Sequence, residues 1–311
     1  MSQSQGPILK LIDFVDDIVS VGPKFRQNMT ILVTYILFAA TGLSSWHHLS
    51  DKDFSFLLTF SGCTQTLGFF LLLHKIRVQR SVAGISSKTL QVYVFVFLFR
   101  LSSTMVKNGY LPVDRTGDWL YQASDVASLL LVLQILFFMH KKYSDTYQHE
   151  LDTMPIGTML PAFALLGCAF HGNLNHSPFF DKTWTIGMWL DSIAMLPQLW
   201  MLVSKGGKVE ALTANFVALI FLSRLMTWFF WFSGYDELAP KEGGKFTGGF
   251  NKVGMLIMTG QSLSLVVSGD FMYHYFKWQS ANFWGMLCKR ADAKPVDDGM
   301  VLPGLGMEME V

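Results

Sequence analysis

The chain has 311 residues, 51% hydrophobic, 14% aromatic and only 15% charged, against about 25% charged in a soluble globular protein. Its net charge of +1 leaves no electrostatic basis for binding nucleic acid, and three cysteines are too few, and odd in number, for a disulfide framework. Apolar stretches of about 20 residues recur along the sequence, which makes this a polytopic membrane protein with the lipid bilayer as its first partner.

Residues 7–20, PILKLIDFVDDIVS, are not a span. Ile8, Leu11, Ile12, Val15, Ile18 and Val19 recur at helical spacing opposite Lys10, Asp13, Asp16 and Asp17. That pattern predicts an amphipathic helix on the membrane surface or against a partner helix. The acidic DFVDD stands where a cleavable signal peptide would carry basic residues. Eight spans follow, at about 29–46, 54–76, 88–106, 118–140, 154–171, 183–204, 211–234 and 250–277. The span at 154–171 is marginal, with Pro155 and Pro161 in its first half.

Basic residues between the spans set the orientation. Lys75, Arg77, Arg80, Lys141, Lys142, Lys205, Lys208, Lys289 and Arg290 fall on the side of the N-terminus, and fewer fall on the other. Both termini are therefore expected in the cytosol. The layout is a cytosolic amphipathic segment at 1–28, a first span at 29–46, a core at 54–277 and a cytosolic tail at 278–311. The sequon at Asn28 would then be cytosolic and unused. The one at Asn175 would be lumenal, close to the membrane and followed by Pro178.

An internal repeat joins two parts of the core. SSKTLQVYVFVFLFR (86–100) and EALTANFVALIFLSR (210–224) align at a constant shift of 124, pairing Thr89 with Thr213, Phe97 with Phe221, Leu98 with Leu222 and Arg100 with Arg224. Both copies follow a basic turn and enter the membrane from the same side. The fold expected is all-α, with two parallel three-helix units, 54–140 and 183–277, joined by a linking helix at 154–171. The span at 29–46 lies outside the repeat.

Arg100, Arg224, Asp125, Asp191 and Asp270 fall inside spans. Each such ion costs roughly 2.5–3.5 kcal/mol to insert, and it survives where it faces a cavity or a partner charge. Arginines on repeat-related helices would converge near the repeat axis and offer forked, permanently charged donors to a carboxylate or phosphate. Asp181, Trp184, Asp191 and Gln198 share one stripe of the sixth span, and Arg224, Trp228 and Trp231 share one of the seventh. An aromatic face beside a carboxylate suits a ligand ammonium. The bland alternative pairs Arg100 with Asp125 and Arg224 with Asp191 only to hold helix register, with the tryptophans as interfacial belt residues. Asp270, near the cytosolic half, reads as structural or conformational. No metalloprotease, P-loop, nucleophile-elbow or Cys/His metal motif is present, so no enzymatic activity, metal or cofactor is expected.

KIRVQRSVAGIS (75–86), FLFR ending at Arg100, WLDSIAMLPQLWMLVSK (189–205), FLSR ending at Arg224 and GDFMYHYF (269–276) together resemble the KDEL receptors, the ER lumen protein retaining receptors. The resemblance covers about 54–277. LPQL by itself would indicate only the wider PQ-loop and SWEET-like fold. The resemblance implies a seven-helix receptor of ER and Golgi membranes. It would capture the C-terminal tetrapeptide of escaped lumenal proteins (KDEL- or HDEL-like) in the acidic Golgi and release it in the ER, travelling with vesicle coat machinery. By position, Arg100 is implied to hold the ligand's terminal carboxylate, with Arg224 the second core arginine and Asp191 its acidic partner. Asp181 and Trp184 would receive the ligand's first, basic residue, and Trp231 would line the pocket. Asp270 is implied in return traffic. Pro197-Gln198 carries the fold's hallmark and points to a conformational role for Gln198.

The departures concern the middle of the ligand. Leu58 and Gly234 stand where the family reads acidic side chains with arginine. Gln65 stands in place of a pH-linked histidine, leaving His171 or His176 to replace it. Ser223 and Thr227 replace tyrosines, and Ser103 replaces an aspartate. An altered signal preference and weaker pH dependence follow as expectations. The span at 29–46 is an extra N-terminal helix relative to the family. The alternative function is a PQ-loop or SWEET-type transporter of a small anionic or zwitterionic solute.

Overall fold

The computed structural model describes residues 23–204, 211–238 and 251–287. The amphipathic segment at 7–20, the side chain of Asp270 and the tail beyond 287 lie outside the described residues. Helix α1 (Pro23–His48) belongs to a unit of its own, and the chain from Asp53 onward makes a second. The second unit carries α2 (Phe56–Gln79), α3 (Ser87–Thr104), α4 (Leu120–Phe137), α5 (Ile156–Ala169), α6 (Pro178–Ile193), α7 (Leu196–Ser204), α8 (Ala211–Ser233) and α9 (Lys252–Leu287). Among the described residues, four helical stretches, Phe56–Gln79, Leu120–Lys142, Pro178–Ser204 and Asn215–Ser233, are long and apolar enough to cross a membrane. At about 1.5 Å per residue, α2 alone reaches past the roughly 30 Å hydrocarbon core. The protein is an all-α integral membrane protein.

Proline shapes two of the helices. The run expected as one helix over 183–204 is broken: α6 ends at Ile193, the chain turns through Ala194 and Met195, and α7 starts at Leu196. Pro197 has no N–H to give, and its ring would collide with the carbonyl of residue 193 in a continuous helix. Helix α5 begins only after Pro155 and spans 14 residues with Pro161 inside it. The last helix runs on to Leu287, past the 277 expected for its span.

In the second unit α4 packs against both α2 and α3, and α9 packs against both α6 and α8. The two groups meet where α2 lies on α8 and α3 on α6. The six helices therefore close a ring in the order α2, α4, α3, α6, α9, α8, and α5 packs on α6. Exchanging α2 with α6, α3 with α8 and α4 with α9 maps each of the six ring contacts onto another. The shift of 124 agrees, since it carries Ser87 at the start of α3 onto Ala211 at the start of α8. This is the arrangement of two parallel three-helix units joined by a linker.

Helix α3 meets α6 closely because Gly187 has no side chain. A Cβ there would stand 3.3 Å from the Arg100 backbone nitrogen and from the Val96 carbonyl. The middle of the ring is filled by an aromatic layer. Phe69 of α2 sits 5.0 Å from Tyr93 and 5.9 Å from Phe97 of α3, and 5.5 Å from Phe216 of α8, between ring centroids. All four are fully buried.

Candidate functional site

One cavity, about 30 Å³ in volume, lies on one side of the aromatic layer. Its walls come from the same half of each ring helix: Leu58, Ser61 and Gln65 of α2, Arg100 of α3, Tyr121 of α4, Trp184 and Asp191 of α6, Arg224 and Trp231 of α8 and Gln261 of α9. That half holds the start of α2, the end of α3, the start of α6 and the end of α8. The space suffices for a water molecule or two. Five residues singled out in the sequence, Arg100, Arg224, Asp191, Trp184 and Trp231, are thus brought together around one hollow.

The arginines are held in different ways. Arg100 presents one edge of its guanidinium to Asp125 of α4, with Nε donating to Oδ2 at 2.7 Å and Nη2 to Oδ1 at 2.6 Å. Its Nη2 also donates to Gln65 Oε1 at 3.1 Å, and its Cζ lies 5.2 Å from the Phe97 ring centre. Asp125 is almost wholly enclosed, with 1% of its side chain exposed against 16% for Arg100. Arg224 is held mainly by neutral groups. Its Nη2 donates to the Asp191 backbone carbonyl at 2.6 Å and to the Tyr93 hydroxyl at 3.1 Å, and its Nη1 donates to Ser268 Oγ at 3.2 Å. The Asp191 carboxylate stands 3.4 Å from Nη2. Arg224 Nε is buried and has no hydrogen-bond partner among the described residues. The ion pairs expected from the sequence and the shared cavity therefore coexist.

Small polar side chains finish the wall facing α8. Ser223 Oγ donates to the Ser61 carbonyl at 2.8 Å, and Thr227 Oγ1 bonds Ser61 Oγ at 2.9 Å. Sequence reasoning missed Ser61, Gln261 and Tyr93. The signal available was a hydroxyl or amide in the first half of an otherwise apolar helix, which marks an interior face as readily as a charge does.

Asp181 does not line the cavity. Its Oδ1 accepts from the Tyr110 hydroxyl at 2.8 Å and from the backbone N–H groups of Leu174 and Asn175, and its Oδ2 accepts from the Ser177 N–H. The carboxylate organises the connection before α6 and stabilises that helix's first turn. Burial, the hydrogen bond to Asp181 and that residue's charge push the Tyr110 phenol well above its usual pKa. Tyr110 stacks on Trp184 with ring centres 3.9 Å apart, and Trp231 meets Trp184 edge-on at 5.7 Å. Trp228 is not part of the cavity wall. It stacks on Phe232, and its Nε1 donates to Ser262. Asn175 is buried, accepting from Gly109 N and donating to Ser103 Oγ.

Gln198 lies at the other end of the ring. Its side chain accepts from Ser86 N at 2.9 Å and donates to the Gly84 carbonyl at 2.9 Å, while its own N–H donates to Thr89 Oγ1. Ser86 Oγ caps α3 by accepting from Thr89 N and donates to Asp152. The Pro-Gln pair thus fastens the broken helix to the AGIS turn, and its amide is fully buried.

A sequence profile of the family described as ER lumen protein retaining receptor matches residues 81–234. An ER lumen protein-retaining receptor of Saccharomyces cerevisiae is 30% identical over 182 residues, covering 55% of this chain and 77% of the relative. The chain belongs to the ER lumen protein-retaining receptor family. The Dictyostelium discoideum receptor of the same name is 29% identical over 71% of this chain and 94% of its own length. Human ER lumen protein-retaining receptor 2 is 30% identical over 54% of this chain and 76% of its own length. Leu58, Gln65, Ser223 and Thr227, four of the six residues that the sequence reading set apart from the family, all line the cavity, whereas Gly234 and Ser103 do not.

Proposed function

We propose that the protein is a retrieval receptor of ER and Golgi membranes. It binds the free C-terminus of lumenal proteins in the arginine-lined cavity and differs from its relatives in the signal it prefers. The observation that carries this reading is the convergence of Arg100 and Arg224, from repeat-related helices, on one cavity. Each brings planar N–H donors matched to a carboxylate. The cavity lies in the half expected to face the lumen, and the aromatic layer beneath it makes a dead end suited to capture. Transport of a solute would require Phe69, Tyr93, Phe97 and Phe216 to part. The altered preference rests on Leu58 and Gln65, which put an aliphatic group and a neutral amide on the wall. The cytosolic termini, with the coat machinery that reads them, and a trafficking role for Asp270 belong to the same proposal.

The test is a binding titration on purified protein in nanodiscs, with peptides ending in HDEL or KDEL and the same peptides amidated at the C-terminus. Saturable binding of the acids, lost on amidation, is the expected result. Equal binding of acid and amide rules out carboxylate capture.

A further inference from the structure

We propose that Asp125 is a built-in competitor for the ligand carboxylate, so that capture exchanges one carboxylate for another on Arg100. The inference rests on the reading of Arg100 as the carboxylate anchor. Asp125 takes the Nε–Nη2 edge of the guanidinium through two bonds of 2.7 and 2.6 Å, which is the bidentate geometry an incoming carboxylate would itself adopt. Gln65 Oε1 holds the same Nη2 from α2. Arg100 lines the cavity but Asp125 does not, so the competitor comes from the bundle and leaves the hollow unfilled.

Charge leads to the same conclusion. Arg100 and Arg224 face Asp125 and Asp191, and the four sum to zero. A further carboxylate entering with every pair intact would make an enclosed site net negative, and an enclosed charge without a partner is strongly disfavoured. Release of Arg100 by Asp125 gives the newcomer its partner and moves the surplus charge onto Asp125, whose side chain is 1% exposed, so the exchange carries a cost that the ligand must meet. Arg224 offers no such exchange, because its close contacts are a backbone carbonyl and two hydroxyls. Asp125 thereby sets a threshold: a ligand must offer Arg100 a better-placed carboxylate than the one it already holds. Weak or badly oriented C-termini would not displace it.

Asp125→Asn retains the size and one acceptor oxygen while removing the charge. It should bind the HDEL acid peptide about tenfold tighter or more than the unaltered protein does, with no gain for the amide. Asp125→Ser should move affinity in the same direction. In both variants the acid peptide should raise Tm by more than it does in the parent, a readout that survives partial destabilisation. Affinity for the acid peptide that is unchanged or lower in both variants overturns the exchange, as does an equal gain for acid and amide. If the parent separates acid from amide but the variants gain nothing, only the exchange fails. If neither parent nor variants separate them, carboxylate capture fails with it. Acid binding seen only in the variants supports the exchange.

Discussion

Replacing Arg100 by methionine isolates the energetics of the anchor from ligand binding. The substitution removes two bonds to Asp125 and one to Gln65, and it leaves a carboxylate with 1% exposure and no counter-charge. Stranding one member of a buried pair costs roughly 3–5 kcal/mol. With roughly 2–4 °C of Tm per kcal/mol for a bundle of this size, the loss should be roughly 6–20 °C. Asp125→Asn alone should cost less, because Arg100 is 16% exposed, lines the cavity and keeps Gln65. The double variant Arg100→Met/Asp125→Asn should recover most of the loss: the stranded charge is gone, and methionine can pack on Phe97 where the guanidinium now lies at 5.2 Å. The assay is thermal unfolding followed by tryptophan fluorescence in nanodiscs, for the parent, both single variants and the double. The stable double variant should nevertheless bind no acid peptide. Losses that simply add across the two singles would refute the reasoning, since they would mean that the pair is not a coupled unit.

Gln198→Ala strands the Ser86 N–H and the Gly84 carbonyl, each buried and each worth about 1–3 kcal/mol when orphaned. Amide hydrogen exchange should accelerate at 84–89 while acid-peptide affinity changes little, as read by mass spectrometry and titration. Asn175, buried against Gly109 and Ser103, should carry no glycan despite its sequon; an unchanged intact mass after glycosidase treatment checks this, and Asn175→Ala should lower Tm. Tyr110→Phe tests the link to Asp181. The folded phenol is raised above its ordinary value near 10, so its contribution is complete below pH 10 and declines as pH rises from there toward the higher folded value. The Tm gap between parent and Tyr110→Phe should therefore be widest near neutrality and narrow above pH 10.

Much of this architecture was legible in the sequence because the bilayer imposes length and apolarity on each span. The apolar runs and the 124-residue shift were enough to expect two three-helix units, and the cost of an intramembrane charge singled out Arg100 and Arg224. The break after Ile193 was written in Pro197 and was overridden by the long apolar run around it. Asp181 shows where helical periodicity stops informing. Its spacing puts it on the stripe of Trp184 and Asp191, yet the connection at 174–177 folds back over the helix start and takes its oxygens. That fold-back is a tertiary event with no periodic signature. Ser61 and Gln261 were passed over for the opposite reason: a single neutral polar residue is inexpensive enough in a helix to look like background.

The repeat explains why the two arginines are equivalent in position and unequal in chemistry. Their helices correspond, and so do their places on those helices. Their carboxylates do not: under the same shift Asp125 falls on Gly249, and Asp191 falls on Leu67. Duplication supplied two matching guanidinium groups, and each half then placed its own acid against one of them. Asp125 grips Arg100 edge-on, while Asp191 reaches Arg224 chiefly through its main-chain carbonyl and leaves the carboxylate at 3.4 Å and 16% exposed. The Arg224 charge is offset only by a carboxylate at 3.4 Å, whereas the Arg100 charge is closed by a bidentate carboxylate at 2.6 and 2.7 Å. On the proposed reading, Arg224 provides the standing attraction for an anion, and Arg100 provides the step at which the anion must prove a better fit than Asp125.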